Sequence, residues 1–146
     1  MPVKKIVNRE ERISMKKKIT AVIVGAGHRS LLYGQYALSH PESFEIVGVA
    51  DPDPLRRLQA AKIFKIPENR CFESAEELAR EPKLADAVIN GTMDNQHVET
   101  AVPLLKKGYD MLLEKPFAVN EYHQSVCYGA CQLPSSFGGL LKRKME

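Results

Sequence analysis

The chain has 146 residues, 44% of them hydrophobic, with three cysteines and a net charge of +3. That length supports one core rather than two ordinary domains, and no apolar run approaches a membrane span or a secretory signal. The excess positive charge sits in residues 1–18, with seven Lys/Arg against two Glu. Residues 19–120 carry eleven basic against fourteen acidic side chains, so the body offers no basic face for nucleic acid and the expected location is cytoplasmic.

Residues 1–17 read as a solvated basic extension. Ile19–Val24 follows as a continuous apolar strand of the kind buried on both faces of a parallel sheet. It runs into Gly25-Ala-Gly27-His-Arg-Ser30 and then a helix over Arg29–Ser39, which ends near His40-Pro41. Strand, glycine turn and helix in that order form a cradle for a dinucleotide pyrophosphate. The first glycine allows the tight turn, the second lets the backbone approach the phosphates, and the helix N-terminus faces the anion. Ser30 stands where a third glycine or an alanine is usual, and its hydroxyl is a further candidate phosphate contact. His28 lies in the same loop. Arg29 either adds a charge-assisted phosphate contact or is simply solvated.

Phe44–Ala50 is the second strand, ending at Asp51, 21 residues beyond Ser30. That spacing suits the carboxylate that accepts from the adenosine ribose hydroxyls and repels a 2′-phosphate, favouring NAD. Arg56 and Arg57 nearby keep NADP open. Asp53-Pro54 reads as an N-cap with proline at the first helical position, and Ser74-Ala-Glu-Glu77 as a capping box. Ala85–Asn90 is a further strand, and Gly91–His97 should line the ligand crevice. There Thr92 and Asn95 either touch the cofactor ribose or cap the next helix, with capping favoured for Asn95. His97 alone reads as a surface helix residue. Val98, Ala101, Val102 and Leu105 form one face of that helix, Pro103 interrupts its bonding, and Gly108 ends it. Asp110–Leu113 is the last strand, leading into Glu114-Lys115-Pro116. A lysine at a strand end facing a nicotinamide stabilises a developing alkoxide or relays its proton; without that context it is an ordinary surface lysine before a turn. The Lys115–Pro116 bond is a candidate cis peptide.

The alternation predicts an α/β fold with a doubly wound parallel sheet over residues 18–120. Residues 121–146 show neither periodicity and read as an irregular tail. Cys71, Cys127 and Cys131 form no metal-type pair and no even disulfide set, so reduced thiols and no metal site are expected.

Val22-Ile-Val-Gly-Ala-Gly27, Val47-Gly-Val-Ala-Asp51, Asp86-Ala-Val-Ile-Asn-Gly-Thr92 with His97, and Glu114-Lys115-Pro116 together resemble the glucose–fructose oxidoreductase, inositol dehydrogenase and rhizopine-catabolism (Gfo/Idh/MocA) family. The resemblance implies a Rossmann domain that binds NAD or NADP. It implies Lys115 as the residue assisting hydride transfer at a sugar or polyol carbon, with Thr92, His97 and Glu114 in nicotinamide-side loops. Met93 departs from the proline that commonly follows the threonine. The resemblance ends near residue 120, where family members continue into a substrate domain carrying most of the sugar pocket. It therefore implies a truncated form with little activity alone and without the surface through which the family forms oligomers. Two other functions are compatible with the same residues: an NAD-dependent glycosidase and a non-enzymatic NAD-sensing regulator.

Overall fold

A computed structural model describes residues 17–113, the side chain of Asp94 excepted. The basic extension up to residue 16, Glu114, Lys115 with its proline bond, Cys127, Cys131 and the tail over 121–146 lie outside the described residues.

Among the described residues, five strands form one parallel sheet: β1 (Ile19–Val24), β2 (Phe44–Ala50), β3 (Cys71–Phe72), β4 (Ala87–Asn90) and β5 (Asp110–Leu113), in the order β3-β2-β1-β4-β5. The chain winds outward from β1 in one direction through β2 and β3, then returns to place β4 on the other side of β1. This reversal beside β1 is where an open α/β sheet keeps its ligand crevice. The helices are α1 (His28–Ser39), α2 (Pro54–Phe64), α3 (Ala75–Arg80) and α4 (His97–Lys106). No helix among the described residues is long and apolar enough to cross a membrane.

Strand residues alternate between two cores, as a period of two requires. Ala21, Ile23, Ile46, Val49 and Ile89 pack with Ala37 of α1 and Ala60 of α2. Val22, Val24, Val88, Met111 and Leu113 pack on the other face with Leu78 of α3 and Leu104 and Leu105 of α4. The β1–β2 register breaks between Ala21 and Val22, inserting Val47 as an extra residue on β2.

Local chemistry explains the helix starts. Asp53 caps α2, its side chain accepting from the Leu55 and Arg56 N–H groups, with Pro54 in the first turn. Ser74 caps α3 by accepting from the Glu77 N–H (3.1 Å). The Glu77 carboxylate reaches one residue further back than a reciprocal box requires and accepts from the Glu73 N–H (2.7 Å).

The start of α4 departs from the sequence expectation. Asp94–Gln96 form a 3-10 turn, closed by the Gln96 N–H on the Met93 carbonyl (2.8 Å), and the helix begins at His97 with no side-chain cap. Asn95 is exposed on that turn rather than capping the helix. The buried face of α4 is His97, Ala101, Leu104 and Leu105, while Val98 and Val102 are only half-buried. Tyr109 is fully buried, and its hydroxyl accepts from the Leu84 N–H (2.9 Å).

Two aspartates at the opposite end of the sheet titrate in opposite senses. Asp86 accepts from the Thr20 N–H (3.0 Å) and hydroxyl (3.2 Å). The backbone bond foremost holds its carboxyl below the ordinary aspartate range, with Lys17 adding to the effect against the cost of burial. Burial pushes the Asp110 carboxyl up, Lys83 opposing and Asp86 reinforcing. The stability Asp86 contributes is present above its unfolded pKa and lost as pH falls through its depressed folded value. Asp110 destabilises the fold once ionised, a burden present at neutral pH and relieved as pH falls through its raised value. Asp110→Asn is therefore expected to raise the thermal midpoint at pH 7, and Asp86→Asn to lower it. Circular dichroism melts check this, and an Asp110→Asn chain melting at or below the parent at pH 7 contradicts it.

Candidate functional site

Four strand ends are stitched together where the winding reverses. The Gly25 N–H donates to the Ala50 carbonyl (2.8 Å), the Gly91 N–H to the Val24 carbonyl (2.9 Å), and the Asp51 N–H to the Phe72 carbonyl (3.1 Å). These bonds bring the glycine loop, the Asp51 turn and the Gly91–Gln96 loop to one rim of the sheet.

Gly25 sits at φ +78°, and a Cβ there would lie 2.7 Å from the Thr92 backbone nitrogen. Both the turn and the close approach of β4 require glycine. Gly27 differs. Its backbone is extended, and a Cβ would meet none of the described residues within 4 Å. Gly27 is the N-cap of α1, so no side chain bonds the first turn from that position, and the first turn holds no acidic residue. At α2 and α3, by contrast, Asp53 and Ser74 fill that role. The α1 terminus thus keeps its partial positive charge beside open space, the arrangement that suits an oxyanion.

Asp51 is 3% exposed, and its carboxylate is already engaged with the loop. Oδ2 accepts from the Ala26 N–H (2.7 Å) and Oδ1 from the Asp53 N–H (2.8 Å). A carboxylate has about four acceptor positions, so two remain for a vicinal diol. Asp51 therefore fastens the glycine loop while presenting acceptors at its rim. Arg57 reaches the same turn from α2, Nη1 donating to the Asp51 carbonyl (2.6 Å) and the Pro52 carbonyl (3.2 Å). In the sequence Arg57 stands out only as a nearby charge.

Ser30 lies one turn into α1, 2% exposed, and its hydroxyl has no hydrogen-bond partner among the described residues. The hydroxyl is turned toward Gly91, where a Cβ would collide with it. It occupies the contact between helix and β4 that a third glycine would leave free. His28 and Arg29 are exposed at the start of α1.

The Gly91–Gln96 loop stands on a polar network that the sequence pattern does not show. The Thr92 hydroxyl donates to Asn90 Oδ1 (2.7 Å), Asn90 Nδ2 donates to Thr100 Oγ1 (2.9 Å), and Thr100 donates to the Gln96 carbonyl (2.8 Å). Thr92 thus turns its side chain inward, and only its backbone borders the glycine loop. His97 is not a surface helix residue: it is fully buried, with Nε2 2.8 Å from the Thr92 carbonyl. A carbonyl oxygen only accepts, so Nε2 carries the hydrogen and donates it. Asn90, a polar residue ending an apolar strand, is the one signal in the sequence that points to this network.

A cofactor with a diphosphate and a ribose diol fits these residues. Open space faces an uncapped helix terminus, and a buried carboxylate stands at the distance set by the loop it anchors.

Comparison with known proteins bears on the same residues. The family described as "Oxidoreductase family, NAD-binding Rossmann fold" (GFO_IDH_MocA) matches residues 19–126. A protein of Saccharomyces cerevisiae, YMR315W, itself described as uncharacterized, is 30% identical over 82 residues, which are 55% of this chain and 23% of that one. The fold is similar to that of the WlbA dehydrogenase of Bordetella pertussis, solved with NADH and UDP-GlcNAcA. The TM-score is 0.70 at 24% identity, over 79% of this chain and 34% of that one. It is also similar to an NAD-binding protein of Listeria innocua, with a TM-score of 0.64 at 28% identity, over 79% and 32%. The chain spans about a third of the length of these solved relatives. With the glycine loop, Asp51 and the β4 loop assembled at one rim, and the family match running through all of them, the chain belongs to the Gfo/Idh/MocA oxidoreductases as an NAD-binding Rossmann domain.

Proposed function

We propose that this chain holds NAD with the pyrophosphate over Gly27 and the α1 terminus, the adenosine ribose on Asp51, and the remainder of the dinucleotide along the Gly91–Gln96 loop. The observation that carries this reading is the open space over Gly27 at an uncapped helix N-terminus, beside a buried carboxylate. Gly25 closes the turn, and the Ala26 N–H is fixed by Asp51. His28 and Arg29 border the phosphates, while Thr92 contributes its backbone and Asn95 its exposed side chain; the Ser30 hydroxyl, buried against Gly91, packs α1 on β4 instead of reaching the phosphates. His97 acts on the site through the Thr92 carbonyl rather than by touching the cofactor.

The bound nicotinamide supplies the hydride acceptor or donor. Lys115, following β5 with Glu114 before it, holds or relays the proton of the reacting hydroxyl on a sugar, polyol or related compound. Such a group contributes about 10²–10⁴-fold to a rate. Lys115→Ala in a longer relative carrying the same Glu-Lys-Pro triplet is expected to lose turnover in that range; unchanged turnover removes Lys115 from the reaction. Because the chain spans about a third of its solved relatives, we expect it to bind the cofactor while turning over little by itself. Fluorescence titration of the full chain with NADH tests the binding reading: saturable one-to-one binding supports it. A folded chain with no affinity for NADH or NADPH overturns it.

A further inference from the structure

We propose that Arg57 is a positioning residue that makes this site select NAD over NADP, an inference that rests on the cofactor reading above. A basic side chain beside the end of β2 ordinarily suggests a partner for a 2′-phosphate, and Arg56 and Arg57 both stand there. The geometry assigns them otherwise.

Arg57 is half-buried in the first turns of α2, where its own N–H continues the helix onto the Asp53 carbonyl (3.0 Å). Its Nη1 carries two hydrogens and has two acceptors within reach, the carbonyls of Asp51 (2.6 Å) and Pro52 (3.2 Å). A guanidinium is a rigid planar fork, so committing one nitrogen to two adjacent carbonyls fixes the plane of the whole group. Both Nη1 hydrogens are thereby committed to the main chain behind the turn. Arg56 is drawn toward Asp53, Nε lying 3.8 Å from Oδ2, and Asp53 is itself tied to the α2 N-terminus.

The consequence falls on Asp51. Its carbonyl is gripped by Arg57, its N–H by the Phe72 carbonyl, and its two carboxylate oxygens by the Ala26 and Asp53 N–H groups. The residue is held at four points, which leaves its carboxylate no freedom to swing away from an incoming ribose. A 2′-hydroxyl gains a charged acceptor there. A 2′-phosphate meets a fixed negative charge, with the nearest guanidinium occupied behind it. Arg57 thus acts by holding Asp51, and never touches the cofactor.

The test is a pair of titrations, NADH and NADPH, on the full 146-residue chain and on Arg57→Ala and Arg57→Lys. The parent is expected to bind NADH at least about tenfold more tightly than NADPH. Arg57→Ala should weaken NADH about tenfold and leave NADPH within about twofold, collapsing the ratio. Arg57→Lys keeps a charged donor without the fork, so its ratio should fall between the two. A purely structural role would weaken both cofactors together. An unchanged ratio in Arg57→Ala therefore overturns the proposal, as does a parent that binds NADPH equally well. If Arg57→Ala does not fold by circular dichroism, an Arg57→Lys ratio equal to the parent's overturns it alone. A folded parent that binds neither nucleotide overturns the cofactor reading itself, a distinguishable result.

Discussion

Replacing Asp51 with alanine is expected to lower both the stability of the chain and its affinity for NADH. The Ala26 and Asp53 N–H groups each lose a carboxylate acceptor at a site that is 3% exposed. Leaving a buried donor unpaired costs about 1–3 kcal/mol, and the Ala26 N–H is the more enclosed of the two. The cofactor loses its bonds to a charged acceptor, about 1.5–3 kcal/mol or roughly 10- to 100-fold in affinity. Asp51→Asn does not escape this, because its amide must turn an NH₂ toward one of two N–H donors. The effects separate by measurement: thermal melts report the loop, and NADH titration reports the diol. An Asp51→Ala chain that melts like the parent and binds NADH as well would remove Asp51 from both roles.

The two glycines of the loop are expected to behave in opposite ways. Gly25→Ala places a Cβ 2.7 Å from the Thr92 backbone nitrogen, in a residue at φ +78°. No flexible side chain can yield there, so strain and collision together should cost about 2–4 kcal/mol and separate β1 from the β4 loop. Gly27→Ala meets none of the described residues within 4 Å and has an extended backbone. Its stability should stay within about 1 kcal/mol of the parent, the gain in chain entropy offsetting the weaker helix start. Its methyl group nevertheless stands where the pyrophosphate must approach. One substitution should damage the fold and the other only the binding.

Much of this arrangement can be read from local pattern. Ile19–Val24 and Phe44–Ala50 are strands of the expected bounds, because continuous apolar runs between turn residues leave few alternatives. Asp53-Pro54 and Ser74 start helices as their chemistry dictates. What escapes the sequence depends on which polar groups pair, near or far along the chain. His97 is buried by the loop that folds over it, and the Thr92 side chain turns away from the crevice because Asn90 and Thr100 lie beneath it. Tyr109 joins the core through a bond to Leu84, 25 residues earlier. Asn95 does not cap α4 because a 3-10 turn satisfies the chain before that helix begins. Helical periodicity reports which face is apolar, and it carries no information on which polar groups meet across the sheet. Arg57 shows the same limit: its charge is evident in the sequence, while its commitment to two carbonyls follows only from the turn between β2 and α2.

The proposed seat of the dinucleotide is the open space over Gly27 in the glycine loop. Calorimetric titration of NADH into the full chain and into Gly27→Ala, each first shown to melt at a comparable temperature, tests it most directly. Saturable one-to-one binding by the parent is expected, with a loss of at least about tenfold in Gly27→Ala. Equal affinity in two equally folded chains would contradict it.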